Sequence, residues 1–126
     1  MQLKTPKNSD KYFWTTHSVF KMRQYGLSEQ KVRSVIRNFD RKEEGIVKNT
    51  IAVMQPVSPK IVDGKKTWKK ELWVMYQSKG KKQKLKVKDN LIKNNQIKII
   101  STWRYPGISP ERDPIPEEIL QELSEL

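Results

Sequence analysis

Apolar positions along this chain change period several times, and each change predicts an element. Val32, Val35, Ile36 and Phe39 recur at i, i+3, i+4 and i+7. They form one stripe of a helix, and Lys31, Arg33 and Arg37 leave that stripe for solvent. An earlier helix is predicted from about Thr16 to Tyr25. Gly26 can take the left-handed conformation that ends a helix, and Leu27 can make the apolar contact that follows. Ser28 then caps the second helix, with Glu29 well placed against its dipole. Ahead of the pair, Tyr12-Phe13-Trp14-Thr15 predicts a short aromatic strand, and residues 1–11 a loose polar arm. Behind it, the charged run Asp40–Gly45 ends the second helix, and Glu43-Glu44 reads as a turn within a loop.

The pattern then changes to strands. Thr50–Gln55 is almost continuously apolar, which predicts burial on both faces, and Pro56 and Pro59 interrupt it. Ile61–Lys66 carries the Asp63-Gly64 dipeptide of a tight hairpin. The return strand reaches Leu72-Trp73-Val74-Met75-Tyr76, again apolar on both faces and so central. Gln96–Trp103 is the last strand. Between the two lies Lys79–Lys88, six lysines in ten residues, with Leu85 and Val87 alternating as in a hairpin with one basic face. After four prolines, a short acidic helix is predicted whose apolar stripe is Ile115, Ile119, Leu120, Leu123 and Leu126. Trp14, Trp68, Trp73 and Trp103 read as core in preference to platforms for stacked bases.

Charge narrows the functional classes. The chain has 126 residues, one domain by length, and a net charge of +12. Residues 1–105 hold 25 Lys and Arg against 8 Asp and Glu, a balance of +17, whereas residues 106–126 carry −5. A basic body implies a polyanion partner, most often nucleic acid; solubility is the plainer alternative. With no cysteine there is no disulfide framework or thiolate metal site, and a single histidine excludes the histidine-rich zinc sites. No metal or cofactor is expected. No apolar run approaches the ~20 residues of a membrane span. Met1-Gln2-Leu3-Lys4 lacks the apolar core of a signal peptide, so the expected location is the cytoplasm.

Few side chains suggest chemistry. His17 titrates near neutrality and can serve as general base or acid; it can equally bond locally and help start the first helix. Arg104 can clamp a phosphate, and Tyr105 can stack on a base or donate a proton. The alternative for Arg104 is an edge-strand side chain packing its stem on Trp103. Arg23, Lys31, Arg33 and Arg37 make a basic helical face, which is usually just a wet side. Lys81, Lys82 and Lys84 supply a second basic patch, and together these fit phosphate binding.

The segment His17-(three residues)-Lys21-Met22-Arg23-(two residues)-Gly26-Leu27-Ser28-(three residues)-Val32 resembles the motif of a small bacterial domain family. That family is allied by fold to the BrnT and RelE toxin ribonucleases. Its usual pattern is His, then Arg-Met, then Gly-Ile-Ser and Val. Lys21 stands where the first arginine usually stands. The resemblance covers roughly residues 12–78 and 96–105; the lysine-rich segment 79–95 and the tail 106–126 look like additions. It implies an antiparallel sheet with two helices on one face, the other face gripping mRNA, as RelE-like toxins do. It also implies cleavage through the 2′-hydroxyl, with Arg23, Arg104 and Lys21 holding phosphate and His17 or Tyr105 moving the proton.

The expectation is therefore an α+β domain over residues 12–105 with an antiparallel sheet, an N-terminal helical hairpin and a short acidic C-terminal helix. The expected function is an RNA-binding, RelE/BrnT-like toxin and, where catalytic, a metal-independent endoribonuclease acting on mRNA at the ribosome, with an acidic antitoxin as protein partner and no membrane. A non-catalytic nucleic-acid-binding module and a protein-interaction domain are the alternatives. Oligomeric state is not legible in the sequence.

Overall fold

The computed structural model describes residues 4–78 and 96–125. The Lys79–Lys88 segment, with Lys81, Lys82 and Lys84, lies outside the described residues. Strand β1 (Tyr12–Trp14) leads directly into helix α1 (Thr16–Tyr25) and helix α2 (Glu29–Arg37). Thr15 caps α1: its hydroxyl accepts from the Ser18 amide at 3.1 Å and donates to the Ile99 carbonyl at 2.8 Å. Gly26 ends α1 at φ 68°, and the Leu27 amide bonds back to the Met22 carbonyl at 2.8 Å. Leu27 itself is buried, supplying the apolar contact of this kind of helix end. The Ser28 hydroxyl then accepts from the Lys31 amide and starts α2.

Among the described residues six strands follow: β2 (Arg41–Glu44), β3 (Ile51–Pro56), β4 (Lys60–Val62), β5 (Lys65–Thr67), β6 (Lys70–Ser78) and β7 (Ile97–Pro106). The main sheet has the order β1-β7-β6-β3-β2. The fold is α+β, as the pattern predicts, and among the described residues all but one of its strand pairs are antiparallel. The exception is β1, which runs parallel to β7. A parallel pair needs a long connection, and here α1, α2 and the strands β2 to β6 lie between the partners. β4 and β5 form a separate two-stranded sheet, with Asp63 at φ 51° and Gly64 at φ 77° in the turn between them.

The charged run 40–45 contains a strand where a loop is the sequence expectation. β2 pairs with β3 from Arg41↔Met54 to Glu44↔Ile51. Its charges suit an edge strand, where they discourage pairing with other chains. α2 also stops at Arg37, two residues before Phe39, which is left 42% exposed.

Both faces of the sheet are buried, as the continuous apolar runs of β3 and β6 require. Val53, Leu72, Val74 and Ile99 pack with Met22, Leu27, Val32 and Val35 of the helical pair. On the opposite face Ala52, Met54, Trp73, Met75 and Trp103 pack with Ile115 and Ile119. The latter two belong to the tail, whose helix α3 spans Glu117–Ser124. The tail thus covers the face that the resemblance would leave open for mRNA. Within α3, Leu120 departs from the predicted stripe and is 41% exposed. Among the described residues no helix is long and apolar enough to cross a membrane.

Candidate functional site

Among the described residues β1 pairs with Ile97–Ile99 alone, and the rest of β7 has no outer strand partner there. Helix α1 packs against β7, directly after β1. His17 and Lys21, one turn apart on α1, meet Ser101 of β7 and Glu122 of α3. His17 Nε2 lies 3.1 Å from Ser101 Oγ and 3.9 Å from Glu122 Oε1. Lys21 has no accessible surface. Its ammonium donates to Gln24 Oε1 at 2.7 Å and to Glu122 Oε2 at 3.1 Å, with Glu122 Oε1 at 2.9 Å and Glu118 at 3.7 Å. Oε1 is an ion-pair contact out of line for a hydrogen bond, and it has no hydrogen-bond donor among the described residues. The Phe20 and Tyr25 rings lie 5.9 and 5.5 Å from the same ammonium.

This cluster holds a carboxylate on a buried cation. Burial lowers the His17 pKa below its ordinary 6.5; Glu122 raises it and Lys21 lowers it further, and the net direction is down. A lowered pKa favours the neutral imidazole, the form a general base needs. Serine, histidine and acid do not form a relay, however. A relay needs the acid on Nδ1 and the serine on Nε2, whereas both partners here approach Nε2. Ser101 is also fully buried.

The other proposed site residues lie elsewhere. Arg104 donates from Nε to the Tyr25 carbonyl at 3.0 Å, at the far end of α1 from His17. Eight residues separate His17 from Tyr25, about 12 Å along a helix. Tyr105 packs on the Trp73–Trp103 side of the sheet. Its neighbour Arg104, opposite Leu72, faces the helical pair. The three do not converge on one point, and Arg104 does not share a face with Trp103. Arg23 is exposed and donates to Thr5 Oγ1. Lys31 is exposed and reaches Gln55 at 3.2 Å. Arg33 pairs with Glu29 at 3.4 Å and lies over the Tyr12 ring, while Arg37 is exposed. Three of the four tryptophans, Trp14, Trp73 and Trp103, are core; Trp68 is half-buried.

A second polar cluster has no counterpart among the sequence expectations. Glu71 of β6 is fully buried and accepts from the Trp68 indole (2.9 Å), the Trp73 indole (2.8 Å), the Ser109 amide (3.1 Å) and the Ser109 hydroxyl (2.7 Å). Burial alone would raise its pKa; these bonds outweigh burial and hold it below the ordinary 4.5. Arg41 of β2 stacks over Trp73 and donates to Ser109 and Pro110 carbonyls and to Glu43. Together Glu71 and Arg41 clamp the start of the tail onto the sheet. The signal for this lay in the alternation Arg41-Lys42-Glu43-Glu44, which sends Arg41 and Glu43 to one face. Among the described residues, no three His, Asp or Glu side chains are grouped to hold a metal ion. No protein-family model, curated protein or solved structure matches the chain.

Proposed function

We propose that the protein binds RNA through exposed cations on its helical face and its β4–β5 hairpin, as a toxin of the RelE/BrnT kind acting on mRNA. The observation that carries this reading is how the charges are sorted. The acidic tail is docked on one face, with Glu118 and Glu122 drawn onto Lys21. Arg23, Lys31 and Arg37 remain exposed on the two helices, and Lys60, Lys65, Lys66, Lys69 and Lys70 around the hairpin. Phosphate binding displaces counterions from RNA, so affinity for such a surface falls steeply with salt. Because the tail covers the sheet face used by RelE-like toxins, RNA would meet the helical side instead. Cleavage is not part of this reading, since His17, Arg104 and Tyr105 are dispersed. An acidic antitoxin is the protein partner that the exposed cations would accept.

The test is fluorescence anisotropy with a labelled single-stranded RNA across a salt series. Affinity should fall with a log–log slope that the double variant Lys31→Gln/Arg37→Gln makes shallower by about two, one for each phosphate no longer neutralised. Absence of RNA binding at low ionic strength, or binding indifferent to salt, overturns the reading. Growth arrest on expression, relieved by a neighbouring acidic reading frame, is the expected result for the toxin; its absence leaves the binding module alone.

A further inference from the structure

Two recesses on the described surface have opposite character. One, of about 560 Å³, is lined by Asp113, Ile115, Glu117, Leu120 and Gln121, and its carboxylates repel phosphate. The other, of about 340 Å³, lies beside the β4–β5 hairpin, where Trp68 is flanked by Lys60, Lys69 and Lys70. It combines one aromatic side chain with three lysines, and all three lysines are exposed.

We infer that this second recess is a nucleobase pocket. It would hold one unpaired base of a single-stranded RNA against Trp68, with the flanking phosphates on Lys60, Lys69 and Lys70. The size fits: 340 Å³ is near the lower end of small-molecule pockets, room for one ring system. The chemistry fits as well, because single-strand readers pair an aromatic platform with a cationic track. Trp68 is also held ready. Its indole nitrogen is tied to the buried Glu71 at 2.9 Å, so the ring loses little freedom when a base arrives. The hairpin that closes the recess is itself fixed, through Lys66 to Asp40 and through the Val57 amide to the Lys70 carbonyl. Five lysines within residues 60–70 face a single acid, Asp63. Asp63 and the Asp40 partner of Lys66 offset only part of that charge, and a bound anion would offset more. Double-stranded RNA offers no free base and is excluded from the pocket, although its phosphates still meet the cations.

This inference rests on the RNA-binding reading and specifies where a base is taken. The experiment compares three probes on the full chain: a single-stranded RNA ten-mer, the same backbone carrying abasic sites, and a duplex of equal charge. A pocket for a base predicts that the abasic probe and the duplex bind about tenfold to a hundredfold more weakly than the ten-mer, the loss of a base stack. Trp68→Ala should bring the ten-mer down to the abasic level, while Trp68→Phe retains most of the affinity. Lys60→Gln/Lys69→Gln/Lys70→Gln changes only exposed side chains, with an unchanged unfolding midpoint expected; it should reduce the salt slope by about two to three. Equal affinity for all three probes, or a ten-mer unaffected by the triple variant, overturns the pocket. If those results accompany a loss of binding in Lys31→Gln/Arg37→Gln, the RNA reading stands without the pocket. If no probe binds the wild-type chain, both fall.

Discussion

Lys21 and Glu122, 101 residues apart, form an ion pair in which the lysine is wholly buried and its ammonium meets both carboxylate oxygens, at 2.9 and 3.1 Å. An ammonium taken out of water needs a fixed counter-charge, and the tail supplies it. The pair therefore couples the first helix, packed on β7, to the last.

Removing that counter-charge should destabilise the fold. Glu122→Gln leaves the buried ammonium with Glu118, 3.7 Å away and 60% exposed, as its remaining carboxylate. Breaking one half of a buried pair costs ~3–5 kcal/mol. Glu122 keeps 31% of its side-chain surface, so a value near the lower end is expected. Lys21→Met/Glu122→Leu should recover most of it, because apolar groups of similar volume need no counter-charge. Urea unfolding of the three proteins decides this. A Glu122→Gln midpoint equal to wild type removes the pair from the stability argument.

His17 gives a pH dependence of known sign. Its folded-state pKa lies below 6.5, chiefly from burial, so on acidification the unfolded chain takes the proton first. Stability is retained at neutral pH and lost as pH falls from about 6.5 toward the depressed folded value. His17→Gln should flatten the unfolding free energy over that window while keeping a bond to Ser101. Equal slopes of stability against pH for wild type and variant, from neutrality down through that window, would contradict the assignment.

The elements were legible where local chemistry and tertiary packing agree. Thr16–Tyr25, the Gly26 stop and the Ser28 cap follow from side chains close to each helix end. β3 and β6 followed from unbroken apolar runs. β2 was missed because Arg41 and Glu43 look solvated until one knows that Trp73, Ser109 and Arg112 await them. The candidate site was half legible. His17 and Lys21 share a turn of α1, so their proximity was readable, but Glu122 comes from the other end of the chain. Arg104 and Tyr105 are both expected at the site, for phosphate and for proton transfer, but adjacent strand residues face opposite ways.

The tail should be structural, and its two neighbouring apolar residues separate the possibilities. Ile119 is fully buried against the Trp73–Trp103 side of the sheet, whereas Leu120 is 41% exposed. Ile119→Ala should cost ~2–5 kcal/mol, as large-to-small changes in a packed core do. Leu120→Ala should cost well under half of that. Similar small effects for both would mean that α3 is loosely applied rather than part of the core.

Glu71 offers the sharpest test of how the sheet, the tail and the proposed base pocket are joined. Its two oxygens accept four hydrogen bonds, two of them from Ser109 at the start of the tail and one from Trp68. Glu71→Gln keeps the shape but turns one oxygen into a donor, which then faces two donors. Bonds to a charged acceptor are worth ~1.5–3 kcal/mol each, so a loss of about 3–5 kcal/mol is expected at neutral pH. The acid side follows by linkage. A carboxyl whose folded pKa is held below 4.5 contributes stability that is fully present above that value and lost as pH falls through the folded pKa. The wild type should therefore lose its advantage over Glu71→Gln on strong acidification, with the two unfolding curves approaching each other. The variant also releases the Trp68 indole, so its near-ultraviolet circular dichroism should change and single-stranded RNA should bind more weakly at neutral pH. A variant equal to wild type in stability would show that the four bonds do not hold the tail; one that is less stable yet binds RNA unchanged would show that Trp68 needs no support from Glu71.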